Sequence, residues 1–289
     1  MALTDVQIEQ IIAGAISELS NKDVKIANSG VWLCDTAEEA IRAASSAQKM
    51  LSKMTLEKRG TLIDAMRRAS LENAEYLAKL ANEETGYGRV KDKIAKNILA
   101  AEKTPGIEDL EAKAYTGDYG LTLVEAAPYG VVGSITPSTN PTSTVINNSI
   151  SMIAAGNAVV YNPHPAAKRA SQESMRVLNE AIEAAGGPKT LITTVKEPTL
   201  ESGKVIMESC DVPILSITGG EAVVNIAMRT GKKVIAAGPG NPPVIVDDTA
   251  DIAKAAKDIV DGASFDNNVV CIAEKEVFAF SNIADKLID

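Results

Sequence analysis

The chain has 289 residues with 38 acidic and 29 basic side chains, and its formal net charge is −9. This length is enough for roughly two domains with substantial cores. The acidic balance and the absence of long basic blocks exclude nucleic acid as a partner. The most apolar region, residues 145–160, is interrupted by asparagines and a glycine, so no membrane-spanning segment is predicted. Three widely spaced cysteines and an N-terminus without a signal-peptide pattern favour a reducing cytoplasm.

Residues 1–20 form a separate amphipathic unit. Thr4 and Gln7 have the spacing of a capping box, which predicts the start of a helix. The apolar side chains of this segment fall on one helical stripe: Ile8, Ile11, Ile12, Ala15, Ile16 and Leu19. Residues 21–29 are polar and are predicted to be a linker. Two alternatives stay open, namely a helix that packs on its own domain and a short peptide that binds a different protein.

The next unit, residues 30–235, begins with helical patterns. Thr36 and Glu39 have the spacing of a capping box, and a helix is predicted from near Leu71 to Gly86. Residues 113–126 have the pattern of a strand pair that turns at Gly117-Asp118.

The rest of this unit alternates short β-branched runs with helical patterns. The runs are residues 130–136, 158–162, 191–195, 212–218 and 233–238. This alternation predicts an α/β fold, with a parallel sheet covered by flanking helices. Such a sheet binds ligands beyond the carboxyl ends of its strands.

No standard phosphate-binding motif is present in the sequence. There is neither a G-x-G-x-x-G after a strand nor a complete P-loop. Thr218-Gly219-Gly220 stands between a predicted strand and a predicted helix, where glycines let backbone amides approach an anion. Glycines in such turns are also common without a ligand.

His164 is the only histidine, and prolines flank it at the end of a predicted strand. Three interpretations stay open: the base of a cysteine–histidine dyad, a hydrogen-bond partner of a ligand hydroxyl, and a surface histidine without a role. Because the cysteines are tens of residues apart, no zinc-type spacing exists and no metal site is predicted.

Four stretches carry a resemblance to a known family: "SITPSTNPTSTVINNSISMIAAGNAVVYNPHP", "ITGGEAVV", "AAGPGNPPVIVDDTADI" and "SFDNNVVCIAEKEV". They closely resemble the CoA-acylating branch of the aldehyde dehydrogenase superfamily, in particular the propionaldehyde and acetaldehyde dehydrogenases of diol and ethanolamine utilisation. The resemblance implies a Rossmann-like parallel sheet that binds NAD and CoA in residues 30–235. It also implies an oligomerisation hairpin at residues 113–126 and the start of a catalytic domain at residues 236–289.

The same resemblance implies the roles of individual residues. Cys271 matches the nucleophile, and Asn140 matches the donor that stabilises the oxyanion. His164 occupies the place where many members have a ribose-binding lysine. The residues implied to contact the cofactor are Thr136, Pro137, Ser138, Thr139, Asn140, Pro141, Thr142, His164, Gly219, Gly220 and Gly238.

Two departures from the family pattern are informative. Hydrolytic members have a glutamate in a Glu-Leu-Gly-Gly segment, whereas residues 236–240 are Ala-Ala-Gly-Pro-Gly. Without a carboxylate base there, acyl transfer to a thiol is favoured over hydrolysis. The chain also ends 18 residues after Cys271, where family members continue, so a fragment with a partly present catalytic domain is expected.

The implied function is oxidation of acetaldehyde or propionaldehyde with NAD, followed by acyl transfer from Cys271 to coenzyme A. A homo-oligomer is also implied, and residues 1–20 resemble peptides that bind a shell protein and direct such enzymes into the bacterial microcompartment lumen. The alternatives are a hydrolytic aldehyde dehydrogenase that forms free acid and a non-catalytic nucleotide-binding or assembly module. Cys34 and Cys210 are expected to be packing residues.

Overall fold

The computed structural model describes residues 31–289. The predictions for residues 1–20 and 21–29 lie outside this part of the chain. The helices are α1 (Ala37–Leu51), α2 (Leu56–Glu72), α3 (Ala74–Thr85), α4 (Val90–Lys103), α5 (Pro141–Ala154), α6 (Lys168–Ala184), α7 (Leu200–Glu208), α8 (Glu221–Met228), α9 (Ile252–Ser264) and α10 (Ala284–Ile288). The strands are β1 (Leu33–Cys34), β2 (Lys113–Gly117), β3 (Gly120–Val124), β4 (Val131–Thr136), β5 (Ala158–Pro163), β6 (Ile192–Val195), β7 (Ile214–Thr218), β8 (Lys233–Ala237), β9 (Pro243–Val246) and β10 (Glu276–Ala279). Among these helices, none is long and apolar enough to cross a membrane.

From residue 31 onward, four helices, α1 to α4, precede the hairpin. The predicted capping box of α1 is confirmed, because Thr36 Oγ1 accepts from the Glu39 N–H and the Glu39 carboxylate accepts from the Thr36 N–H. Gly86 ends α3 in the left-handed conformation, with φ of 69°. The start of that helix was predicted too early. It begins after Asn73, which ends α2 with φ of −104° and ψ of 7°, and whose side chain donates to the carbonyl oxygen of Ala69 at 2.9 Å.

The hairpin of β2 and β3 has the predicted position. The two strands pair antiparallel up to Gly117 and Gly120, which flank the turn. All residues of both strands are exposed, including the apolar Leu121 and Leu123. The role of the hairpin in oligomerisation stays a prediction.

The centre of the molecule is a six-stranded parallel sheet with the order β1-β6-β5-β4-β7-β8. Strands β4 to β8 correspond to the five predicted runs, whereas the two-residue β1 was too short to predict. From β4 the chain builds β5 and β6 on one side, and then crosses to β7 and β8 on the other. At such a topological switch point a crevice opens beyond the carboxyl ends of the two central strands, here β4 and β7.

The central strands are covered by helices on both faces, which explains their apolar composition. Every residue of β5 and β6 is buried, and the core also contains the inward sides of α1, α2, α5 and α6. Tyr161 lies wholly within this core, where its hydroxyl pairs with Ser149 Oγ at 2.8 Å. The strand ends that form the crevice are therefore held by a close-packed layer.

After β8 the chain leaves the central sheet. Strands β9 and β10 pair in parallel, with Pro243 opposite Glu276, and α9 connects them on the way to Cys271. Residues 265–275, between the end of α9 and the start of β10, contain the predicted nucleophile Cys271 and are called the nucleophile segment below.

Candidate active site

A cleft of about 370 Å³ opens beyond the carboxyl ends of β4 and β7, at the switch point of the sheet. Its walls come from the loop after β4, the turn after β7, the loop after β8 and the nucleophile segment. The lining residues are Pro137, Ser138, Thr139, Asn140, His164, Thr218, Gly219, Gly220, Gly238, Pro239, Gly240, Asn268, Val269, Val270, Cys271 and Lys275. The structure thus brings together residues that are more than a hundred positions apart in the sequence.

Most of the residues predicted for the site line this cleft, but three do not. Thr136, Pro141 and Thr142 are buried behind its wall. Thr142 Oγ1 donates to Asn97 Oδ1 at 2.7 Å, so its side chain joins the loop to α4. These three residues support the cleft wall instead of forming its surface, because the chain turns inward as α5 begins.

Asn140 is the N-terminal cap residue of α5 and is held by two neighbours. Its Oδ1 accepts a hydrogen bond from Lys96 Nζ at 2.5 Å, and its Nδ2 donates to Thr139 Oγ1 at 3.0 Å. Since an ammonium can only donate, the atom that faces Lys96 must be the amide oxygen. The amide nitrogen therefore lies on the other side of the group, with a second hydrogen to offer.

Cys271 is half-buried in a turn that follows an uncommon backbone path. The three residues Asp266, Asn267 and Asn268 all have positive φ, at 49°, 54° and 61°. Asparagine and aspartate adopt this left-handed conformation more readily than other non-glycine residues. The Asp-Asn-Asn triplet is thus explained by the backbone direction that brings Cys271 to the cleft.

Side chains on both sides of this turn hold it in place. Asn268 Nδ2 donates to the carbonyl oxygens of Ala263 at 2.6 Å and Glu274 at 3.1 Å, and so joins the two ends of the turn. Lys275 Nζ donates to the carbonyl oxygen of Val270 at 3.2 Å, directly before the nucleophile. Lys275 was not predicted, since a lone lysine after the motif gives no distinctive pattern.

A buried charged cluster lies behind Asn140, and sequence analysis missed it. The Asp266 carboxylate is wholly buried and accepts from Lys96 Nζ, from Lys93 Nζ at 3.4 Å and from the Arg89 N–H at 2.7 Å. Burial lowers the pKa of Lys96, an effect that its hydrogen bond to Asp266 opposes. The sequence did contain one indication of this cluster. The polar residues Lys93 and Asn97 occupy the buried stripe of α4, where apolar residues are usual.

A second cavity, of about 450 Å³, lies on the other side of the same residues. It is bordered by α4 and α5, with Leu99, Thr104 and Asn147 among its lining residues. Four residues line both cavities: Asn140, Thr218, Val270 and Cys271. Cys271 therefore borders both cavities.

His164 lies on the rim of the first cleft and is exposed. Its Nδ1 accepts a hydrogen bond from the Ala166 N–H at 3.1 Å. A neutral imidazole with Nδ1 as an acceptor carries its proton on Nε2, which leaves a donor for a ligand hydroxyl. This arrangement fits the hydroxyl-binding interpretation, and the role of His164 stays a prediction.

The other two cysteines differ from each other. Cys34 is buried, as expected, and burial raises the pKa of its thiol to about 11. Cys210 is exposed, so its prediction as a packing residue was wrong. It follows the end of α7 and precedes the inward-facing residues of β7, and the turn leaves it at the surface.

The turn after β7 leaves open space against its backbone. Gly220 is the N-cap of α8, whose first N–H groups have no partner within the helix. A Cβ at Gly220 or Gly238 would meet no atom within 4 Å, so space for a ligand lies directly against the backbone there.

These features define a parallel α/β protein with a cysteine and a carboxamide at its switch-point cleft. Residues 26–289 match the aldehyde dehydrogenase family, and the chain belongs to this family. It is 56% identical to an acetaldehyde dehydrogenase (acetylating) from Bilophila wadsworthia over 256 residues, which are 88% of this chain and 52% of that protein.

Two solved structures are similar in fold and in sequence. One is a propionaldehyde dehydrogenase from the Clostridium phytofermentans fucose utilisation bacterial microcompartment, with a TM-score of 0.87, 51% identity, and coverage of 89% of this chain and 59% of that one. The other is a Rhodopseudomonas palustris propionaldehyde dehydrogenase with bound CoA and an acylated cysteine, with a TM-score of 0.86, 47% identity, and the same two coverages. The chain thus spans between half and two thirds of the length of these relatives.

Proposed function

We propose that this chain provides the NAD-binding cleft and the nucleophile of a CoA-acylating aldehyde dehydrogenase for acetaldehyde or propionaldehyde. The observation that carries this proposal is the position of Cys271 and Asn140 at the junction of two cavities. The similar proteins named above, which act on these two aldehydes, support the substrate class.

The first chemical step is addition of the Cys271 thiolate to the aldehyde carbonyl. The new S–C bond turns the carbonyl oxygen into an oxyanion, which needs hydrogen-bond donors that are fixed in advance. The free hydrogen on Asn140 Nδ2 and the Cys271 N–H are the donors proposed here. One such donor is typically worth ~3 kcal/mol of transition-state stabilisation.

NAD, when bound in the first cleft, would accept the hydride from the resulting thiohemiacetal. The turn at Gly219 and Gly220 would hold its diphosphate, and His164 Nε2 would donate to a ribose hydroxyl. The loop of residues 137–140 and Gly238 would form the remaining walls. Loss of hydride leaves an acyl thioester on Cys271.

The residues after β8 indicate whether water or a thiol accepts the acyl group. Residues 236–240 carry no carboxylate, so no general base stands there to activate water. Water is a far weaker acid than a thiol, which has a pKa of about 8.5 and is partly ionised near neutral pH. Transfer to the thiol of coenzyme A is therefore favoured over hydrolysis to the free acid, which is the first alternative function.

The proposal extends to localisation and to assembly. The name of one similar structure places that protein in a bacterial microcompartment. The exposed apolar hairpin of β2 and β3 is the surface proposed for homo-oligomer formation. We propose residues 1–20 as the segment that binds a shell protein.

The test of the proposed function uses the product of the complete gene. With propionaldehyde and NAD but no CoA, we expect one burst of NADH per active site and then a stall, because the thioester accumulates on Cys271. Addition of CoA should restart turnover and yield propionyl-CoA. Sustained turnover to free acid without CoA would favour the hydrolytic alternative, and failure to form NADH with either aldehyde would favour the non-catalytic module.

A further inference from the structure

The buried cluster around Asp266 connects both halves of the site to one helix. From α4, Lys96 Nζ reaches the Asp266 carboxylate in the nucleophile segment and also Asn140 Oδ1 in the loop after β4. Lys93, one turn earlier, donates to the same carboxylate at 3.4 Å and to the carbonyl oxygen of Thr139 at 3.2 Å. The two lysines therefore join the nucleophile segment to the loop that presents Asn140.

The charged side chains of this cluster are buried, which distinguishes them from a surface ion pair. The side chains of Lys93, Lys96 and Asp266 are 2%, 10% and 0% exposed. Removing such charges from water costs several kcal/mol per ion, which their mutual attraction only partly offsets. Well-packed apolar residues often stabilise such a position equally well, so stability alone does not account for these charges.

Lys96 acts on Asn140 in two ways. It selects the orientation of the amide, because only the oxygen can accept from an ammonium. It also withdraws electron density from the amide, since a charge-assisted hydrogen bond on the carbonyl oxygen makes the N–H groups stronger donors. One Nδ2 hydrogen is bound to Thr139 Oγ1, and the other has no acceptor within residues 31–289.

We propose that Lys96 is a positioning residue, held by Asp266, that orients and polarises the Asn140 carboxamide toward the oxyanion formed at Cys271. This inference rests on the proposed role of Asn140. It adds a residue from α4 to the site and assigns a use to the buried aspartate of the Asp-Asn-Asn triplet.

The test separates oxyanion stabilisation from aldehyde chemistry. p-Nitrophenyl acetate acylates a reactive thiol directly: Cys271 Sγ forms a bond to the ester carbonyl carbon, the C–O bond breaks, and p-nitrophenolate leaves. This step passes through an oxyanion but needs neither NAD nor CoA. The burst rate is measured in the complete gene product and in the variants Asn140→Ala, Lys96→Gln and the double variant.

Non-additivity is the expected result. Asn140→Ala should slow the burst ~100-fold or more, as loss of an oxyanion donor does. Lys96→Gln should slow it about tenfold in the unsubstituted enzyme, yet change it less than about twofold in the Asn140→Ala background. A structural role would give the same factor in both backgrounds and would overturn the proposal. So would a normal burst in Lys96→Gln, or the absence of a Cys271-dependent burst in the unsubstituted enzyme.

Controls cover folding and the proposed function. Lys91→Gln lies on the same helix but is exposed, and should leave the burst unchanged. Asp266 keeps Lys93 and the Arg89 N–H as partners in Lys96→Gln, so the fold should persist. If Lys96→Gln does not fold, Lys96→Arg is tested in its place, both in the otherwise unsubstituted enzyme and in the Asn140→Ala variant. Any slowing of the burst by Lys96→Arg must then be absent in the Asn140→Ala variant. If the ester results hold but no acyl-CoA forms from aldehydes, the proposed function fails and the assignment of Lys96 stands.

Discussion

The three cysteines differ in burial, and their order of reactivity follows from this difference. Burial raises the pKa of the Cys34 thiol from 9.0 to about 11, which lowers its ionised fraction at pH 8 about 100-fold, and it also shields the sulfur from reagents. Iodoacetamide should therefore modify Cys210 and Cys271 well before Cys34. Peptide mapping measures this order, and earlier labelling of Cys34 than of Cys271 would contradict it.

Cys271→Ala should abolish acyl-CoA formation and leave NAD binding intact, whereas Cys34→Ala should preserve both.

The raised pKa of Cys34 also predicts a pH dependence of stability. Between pH 9 and about 11 the unfolded chain loses the thiol proton while the folded chain keeps it. Stabilisation by the buried thiol is therefore complete below pH 9 and declines as the pH rises toward 11. The measurement compares the free energy of unfolding in urea for the unsubstituted protein and Cys34→Ala at pH 8, 9 and 10. A difference that stays constant over this range would contradict the prediction.

Gly240 determines the backbone position of the nucleophile through close contact. A Cβ at this residue would lie 2.2 Å from the carbonyl oxygen of Cys271, so either segment would have to move. Gly240→Ala should lower kcat of the complete enzyme by ~10-fold or more, because small displacements of a nucleophile are costly. Lys91→Ala, at an exposed position of α4, is the control and should be neutral. Equal rates for both variants would contradict this account.

At the scale of elements, the left-handed backbone of residues 266–268 explains why the sequence has aspartate and asparagine before Cys271. Asn267 is exposed with φ of 54°, so its side chain can be changed without loss of packing. Asn267→Val should destabilise the protein by about 1–2 kcal/mol, whereas Asn267→Gly should be close to neutral. Thermal unfolding measures both. Similar losses for Gly and Val would indicate that the asparagine side chain, and not the backbone conformation, is what matters.

Secondary structure was largely predictable because each element has a local signature. Strands β4 to β7 are largely buried, so they are continuous apolar runs, whereas the edge strand β8 is mostly exposed. The five runs predicted from sequence match β4 to β8 to within two residues at each end. The break at Asn73 between α2 and α3 was missed, because one residue with non-helical dihedral angles makes it and neither glycine nor proline marks it. The two-residue β1 was missed because it has no periodicity at all.

At the scale of the whole molecule, residues 1–20 are predicted to direct the protein to a shell. Burial of each isoleucine is worth roughly 1.5–3 kcal/mol, so a few of them in a partner's groove are enough for a tether. A fluorescent reporter fused to residues 1–20 should form puncta in cells that produce the shell. A fusion in which Ile11 and Ile12 are replaced by aspartate is the matched control and should stay diffuse. Diffuse fluorescence of the unsubstituted fusion would favour a helix that packs on its own domain.

The sequence by itself determined the family and the parallel sheet, and it predicted the reactive residues. Long motifs around Asn140 and Cys271 carry this information locally, and both residues meet at one cleft. Only the tertiary structure decided which predicted residues face that cleft: Thr142 does not, because its hydroxyl binds Asn97 on α4. Only the tertiary structure showed the pairing of Lys96 with Asp266, which are 170 residues apart. A charge and its partner on distant elements leave no periodic pattern, and folding alone brings them together.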